Sequence, residues 1–93
     1  MFSLHYSTGI ILKMNVKKPN KGEAFVLIKK RKINFKNYFF LSKNNNLIKA
    51  ARNLYPLIRK IKNKGYKKIA VEKIPNIGIG QTINDRLERA SKY

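Results

Sequence analysis

Residues 38–72 read YFFLSKNNNLIKAARNLYPLIRKIKNKGYKKIAVE and place a strand, a helix and a second strand in close succession. The start, 38–41, is apolar and aromatic, and its three adjacent rings fit a strand that is buried on both faces. From residue 47 to 61 apolar residues recur at helical spacing, and Gly65 supplies a stop signal. A strand at 68–72 follows this short turn, which is typical of a crossover between parallel strands. The stretch therefore predicts an α/β domain.

Two more strands are predicted upstream of this unit, and one helix is predicted downstream. Residues 10–14 form a short apolar run after a glycine, and residues 24–28 are five consecutive apolar residues bounded by charge. A final helix is expected from about residue 81 to 91. The order β-β-β-α-β-α predicts a small Rossmann-like α/β domain with a mostly parallel sheet of about four strands and two or more helices.

Pro56 falls well inside the first predicted helix. A proline there removes one backbone hydrogen bond and its ring clashes with the preceding turn, at a cost of about 3 kcal/mol or a kink. The sequence contains no feature that offsets this cost.

The charge of the chain is its most unusual property. It has 93 residues, enough for one domain, and its 22 basic and 4 acidic residues give a formal net charge of +18. Such a charge ordinarily indicates a nucleic-acid or anionic partner. However, Lys, Ile and Asn, whose codons are rich in A and T, account for 17, 12 and 11 residues. Genomic drift towards A+T would enrich the same lysines, so the five arginines are more informative.

The sequence contains few residues of the types that catalysis and metal binding require. There is no cysteine, the only histidine is His5, and the four acids Glu23, Glu72, Asp85 and Glu88 are dispersed. Neither a pair of catalytic carboxylates nor a metal site is expected from this set. Without a signal peptide or a long apolar run, the chain is expected to be soluble and cytoplasmic.

Three short segments each allow a functional and a structural interpretation. Gly78 and Gly80 lie between a strand and a helix, as in half of a dinucleotide-binding fingerprint. Without the third glycine and an acidic ribose partner, a tight turn is preferred over a phosphate-binding turn. The basic run 29–32 is interpreted as a solvated loop rather than a phosphate-facing patch. Residues 38–41 are interpreted as a buried strand rather than a base-stacking platform.

The second half of the chain carries motifs of one protein family. They are Ala-Ala-Arg-Asn-Leu at 50–54, Ile-Pro at 74–75, Gly-Ile-Gly at 78–80 and Ile-Asn-Asp-Arg-Leu-Glu-Arg-Ala at 83–90. Their order closely resembles the C-terminal domain of two-domain threonylcarbamoyl-AMP synthases. Gly-Glu-Ala at 22–24 also resembles the entry to that domain's buried strand.

The first residues resemble the linker that joins the two domains of this family. His5 and Tyr6 match its His-Tyr pair, whereas Thr8 stands where the family has proline. The resemblance implies that residues 1–9 are a remnant of the interdomain linker and that residues 10–93 are the accessory domain.

The resemblance also implies a function. The family condenses L-threonine, bicarbonate and ATP into threonylcarbamoyl-AMP, which serves tRNA modification. In the complete enzyme the preceding YrdC-type domain does the chemistry and binds ATP with Mg²⁺. This chain alone would bind no cofactor and would be inactive, and its partner would be the catalytic domain, covalently joined or in trans. His5 and Tyr6 are the residues expected to contact the nucleotide, although Tyr6 fits equally well as an anchor of the linker.

Two alternatives remain open. The charge also fits a free-standing basic module that binds nucleic acid such as tRNA, with Arg52, Arg86 and Arg89 as candidates for contact to RNA or to a neighbouring domain. Clustering of the arginines on one surface would favour this alternative. The other is a degraded remnant without function, for which Pro56 and Thr8 are the evidence.

Overall fold

The fold follows the predicted order of elements. A computed structural model describes residues 10–32 and 35–92, with the backbone alone for 91 and 92. The elements are β1 (Ile11–Lys13), β2 (Ala24–Lys29), β3 (Tyr38–Ser42), α1 (Leu47–Asn63), β4 (Lys68–Val71) and α2 (Ile79–Lys92). The β-β-β-α-β-α order is therefore confirmed. The strands β1 and β4 are shorter than predicted, and α2 begins two residues earlier.

The four strands form one parallel sheet in the order β1-β4-β2-β3. Ile69 of β4 lies between Leu12 of β1 and Ala24 of β2, and Val26 pairs with Phe39 of β3. Because β2 separates β3 from β4, α1 carries the chain across β2 before it re-enters the sheet. The predicted parallel sheet of about four strands is confirmed.

The main core lies between the sheet and the two helices, which pack on the same face. The buried helical side chains share a 3.6-residue period; they are Ala50, Leu54, Ile58 and Ile61 of α1 and Ile83 and Leu87 of α2. They pack on the strand residues Leu12, Val26, Leu41, Ile69 and Val71. Full burial of one such large apolar side chain contributes about 1.5–3 kcal/mol, so this layer supplies most of the stability.

The opposite face of the sheet carries a smaller cluster. Its buried residues are Phe25, Leu27 and Ala70, with Val16, Tyr38 and Phe40 packed against them. Val16 belongs to the connection from β1 to β2, so this connection crosses β4 on the face opposite α1. Crossovers that run in opposite directions must lie on opposite faces when both are right-handed. In the described ranges no helix covers this face.

The aromatic segment divides between the two faces. Phe39 points into the helix layer, where its ring lies 5.9 Å from that of Tyr66, whereas the Tyr38 ring lies 5.2 Å from Phe25 on the other face. This agrees with the prediction of a strand with aromatic rings on both faces. Neither helix in the described part of the chain is long and apolar enough to cross a membrane.

The helix α1 runs through Pro56 without a break. At its start the Asn46 side chain accepts a hydrogen bond from the Lys49 backbone N–H at 3.0 Å, and at its end Gly65 adopts a φ of 98°. Pro56 and Arg52 both lie on the exposed side of the helix. The Arg52 carbonyl, which has no N–H at position 56 to accept from, therefore faces water. This location limits the cost of the proline without removing it.

Candidate functional site

The carboxyl edge of the sheet, where ligands bind in many α/β folds, is closed between β2 and β4 by an acidic side chain. The Ile28 backbone N–H donates to Glu72 Oε2 at 2.7 Å, and Arg31 Nη2 donates to Glu72 Oε1 at 2.7 Å. The strand β4 was predicted to extend to residue 72 but ends at Val71. The Glu72 backbone N–H still donates to the Val26 carbonyl at 3.0 Å, but the acceptor for the next N–H of β2, that of Ile28, is the Glu72 side chain. Arg31 in the basic run thus has a structural partner, and this glutamate is engaged by the fold.

The Gly78–Gly80 turn joins this edge to α2. A Cβ at Gly80 would collide with the carbonyl oxygen of Pro75, whereas Gly78 has a φ of 57° and open space beside it. The space beside Gly80, which its missing Cβ leaves open, is therefore filled by the chain's own backbone at Pro75. This gives Gly80 a structural role, and the phosphate-binding role of the turn stays a prediction.

A shallow pocket of about 400 Å³ lies at the end of β3. Lys30, Lys43 and Lys49 stand at its rim with Phe40 beside them. Its polar floor is already bonded, because Ser42 Oγ donates to the Ile28 carbonyl at 3.0 Å and Asn53 Nδ2 donates to the Leu41 carbonyl at 2.8 Å. These hydrogen bonds stabilise the end of β3, so both polar groups are already engaged within the fold.

Glu23 is the most deeply buried ionisable group in the described part of the chain, with 2% of its surface exposed. Its Oε2 lies 2.6 Å from Lys13 Nζ, and its Oε1 accepts from the Asn20 backbone N–H at 2.8 Å. Lys13 lies on β1 and Glu23 directly precedes β2, so the ion pair spans β4, where the small Ala70 leaves room. The bond from Lys13 and then that from Asn20 hold the pKa of the Glu23 carboxyl below its ordinary value of 4.5, although burial opposes this.

Replacing Glu23 by glutamine should destabilise the domain by about 1–3 kcal/mol at pH 7, because Lys13 loses its charged partner. Since the pKa of Glu23 is lower in the folded state, the unfolded chain takes up the proton first as the pH falls. Stabilisation by this group is therefore complete above pH 4.5 and is lost as the pH drops through the folded-state pKa. Urea unfolding of both proteins from pH 7 to pH 3 should show their difference shrinking below pH 4.5.

The matched control for this prediction is Asp85→Asn on the exposed side of α2, which should change the free energy of unfolding by less than about 0.5 kcal/mol. A Glu23→Gln penalty that stays constant down to pH 3 would show that the charge of Glu23 does not stabilise the fold.

The sequence had proposed three separate groups of site residues, and the structure describes two of them. His5 and Tyr6 lie outside the described residues. Arg52 is exposed on α1, Arg89 is exposed on α2 and Arg86 of α2 is half-buried. These three arginines lie on the helices, as does Gly80 in the first turn of α2, whereas Gly78 lies in the loop that leads from β4 to α2.

A second pocket, which the sequence reasoning missed, is formed by lysines. It has a volume of about 500 Å³ and lies at the amino edge of the sheet, where β2 and β4 begin. Its lining residues are Lys21, Gly22, Lys64, Gly65, Tyr66, Lys67 and Lys68, which together are called the lysine pocket. None of its four lysines forms an ion pair within the described ranges. The available signal was the clustering of lysines around two glycine turns, at Gly22 and Gly65.

Comparison with known proteins gives one result. The model of the family described as "Threonylcarbamoyl-AMP synthase, C-terminal domain" matches residues 3–92. No curated protein and no solved structure shows significant similarity to the chain. The match covers His5 and Tyr6 as well as every strand and helix described above.

Proposed function

The chain belongs to the family of threonylcarbamoyl-AMP synthase C-terminal domains, and on that basis we propose that it is the accessory domain of such a synthase. The complete enzyme would make threonylcarbamoyl-AMP from L-threonine, bicarbonate and ATP for tRNA modification. This chain would act on a catalytic domain, either in the same polypeptide or in trans. The match over residues 3–92 is the observation that carries the proposal.

The engagement of the acidic residues supports an accessory role. Glu23 is bound to Lys13 and Glu72 to Arg31, so both carboxylates serve the fold. A general acid or base must instead be available to exchange a proton with substrate. In the described part of the chain no three His, Asp or Glu side chains come together in a way that could hold a metal ion. In the proposal the catalytic domain holds ATP and Mg²⁺.

The linker is the element through which this domain would act. In the proposal residues 1–9 form the linker and residues 10–93 the accessory domain. The linker joins the sheet at Ile10, which is buried, and the next backbone N–H, that of Ile11, donates to the Lys67 carbonyl at 2.8 Å. A segment anchored to a rigid sheet can be positioned reproducibly. Its His5–Tyr6 pair would close over bound ATP, slow the loss of the labile adenylate and exclude water.

Adding this chain to an isolated catalytic domain of the family should tighten ATP binding and raise turnover about five- to tenfold, which corresponds to about 1 kcal/mol. The measurements are the Kd for ATP and the rate of diphosphate release. The variant Tyr6→Ala should lose most of the gain, whereas Ser3→Ala, outside the His-Tyr pair, should retain it. If the wild-type chain changed neither the ATP affinity nor the turnover, the gating proposal would be wrong.

A further inference from the structure

We propose that the lysine pocket binds the backbone phosphates of an RNA. Four lysines, Lys21, Lys64, Lys67 and Lys68, line one open depression at the amino edge of the sheet. Binding at this surface would not require the catalytic domain.

The charge of the pocket exceeds what the fold requires. The helix α1 ends at Lys64, and a helix C-terminus carries about half a negative charge, which one nearby cation offsets. Lys60 and Lys62 already lie in the last turn of α1. Among the described residues, Glu23 is an acid on which the pocket acts, because Lys68 contributes to lowering the pKa of its carboxyl, but Glu23 is itself paired with Lys13. A surplus of about four positive charges therefore remains.

The shape and composition of the pocket favour an extended polyanion over a small one. All four lysines are exposed, and they line the pocket with long flexible side chains. The C-terminal end of α1 contributes Lys64 and Gly65 to the lining, and the partial negative charge of that helix end disfavours a small anion held close to it. A strand of RNA lying across the rim can contact several ammonium groups at once and release counterions at each contact. The Tyr66 ring packs edge-on against Phe39 and is half-buried, so phosphate contact rather than base stacking is the expected mode.

The test compares two variants that remove the same charge from different places. The pocket variant is Lys21→Gln/Lys64→Gln/Lys67→Gln/Lys68→Gln. The control is Lys17→Gln/Lys18→Gln/Lys29→Gln/Lys32→Gln, at four exposed positions outside the pocket. Binding of a fluorescein-labelled single-stranded RNA is followed by anisotropy at several concentrations of KCl. The slope of log affinity against log salt counts the phosphate contacts, at about 0.7 per phosphate for single strands.

The pocket variant should lose about 2–3 units of this slope and at least tenfold in affinity at about 50 mM salt, whereas the control should lose less than about one unit. Lysine-to-arginine substitution at the four pocket positions keeps the charge and should preserve the slope. The double variant Lys64→Gln/Lys67→Gln should lose about half as much, which supplies a readout if the quadruple variant does not fold. Thermal unfolding of each variant verifies that the fold is retained.

Two results would overturn the proposal. Equal losses in the pocket variant and the control would show that the charge acts diffusely, without a site. Titration with ATP and with inorganic phosphate distinguishes the other possible source of phosphate groups. If ATP bound more tightly than RNA and the pocket variant lost that binding, the ligand would be a free nucleotide and not RNA.

Discussion

Replacing Gly80 by alanine should destabilise the domain by about 3 kcal/mol or more, which for a chain of this size lowers Tm by roughly 12–24 °C. The added methyl group would collide with the carbonyl oxygen of Pro75. Both colliding groups are fixed to the main chain, because Gly80 is in the first turn of α2 and Pro75 is in the loop that leads to it. Rotating a side chain cannot relieve the clash. The helix α2 would have to shift, which would disturb the packing of Ile83 in the core.

The neighbouring glycine provides the control for Gly80→Ala. Gly78 has a positive φ but open space beside it, so Gly78→Ala should cost only about 1–2 kcal/mol for the left-handed conformation. Thermal and urea unfolding of the two variants give the comparison. If Gly80→Ala were the milder of the two, the close approach of Gly80 to Pro75 would not exist in solution.

Replacing Pro56 by alanine should have the opposite sign and stabilise the domain by about 2 kcal/mol. Alanine restores the backbone hydrogen bond to the Arg52 carbonyl and removes the ring from the helix interior, a change of about 3 kcal/mol in an exposed helix. Loss of the proline also increases the conformational entropy of the unfolded chain, which reduces the gain in stability by about 0.4–1 kcal/mol. Since Pro56 is exposed, no packing contact of the core is lost.

The measurement is Tm by circular dichroism, with Lys60→Ala as the control at an exposed position one turn further along α1. Lys60→Ala should change the free energy of unfolding by less than about 0.5 kcal/mol. An unchanged or lower Tm for Pro56→Ala would show that α1 already accommodates the proline without penalty. A large gain would show that this helix tolerates the proline because the rest of the fold holds it in place.

Local patterns predicted the elements and the parallel sheet, but not the order of the strands within it. Burial along a single element produces both the helical spacing from Leu47 to Ile61 and the apolar run that ends at Ile28. Both patterns could therefore be recognised in the sequence. The place of β4 between β1 and β2 depends on pairing between distant segments, which no local period encodes. Likewise, β4 was expected to include Glu72, because nothing near that residue in the sequence shows that its carboxylate bonds to Ile28.

The candidate sites differ in the same way. The Gly78–Gly80 turn was located from its glycines, but the reason for Gly80 is contact with a backbone carbonyl that only the folded turn supplies. The lysine pocket combines Lys21 with residues 64–68, which are more than forty positions away and meet only when β2 and β4 align. Composition does not distinguish one lysine from another, whereas the fold brings four of them together in one pocket.

The position of β4 also sets the order in which the domain can be assembled. The strands β1 and β2 are not neighbours, so they share no ladder of hydrogen bonds until β4 enters between them. During synthesis residues 1–67 would emerge from the ribosome first. The sheet could not be completed until residues 68–71 followed. Such distant pairings slow folding, because the entropy cost of closing a large loop comes before the favourable contacts that offset it. Until then the edge of β2 that pairs with β4 has no partner, which makes this interval the one in which the nascent chain is most prone to aggregate.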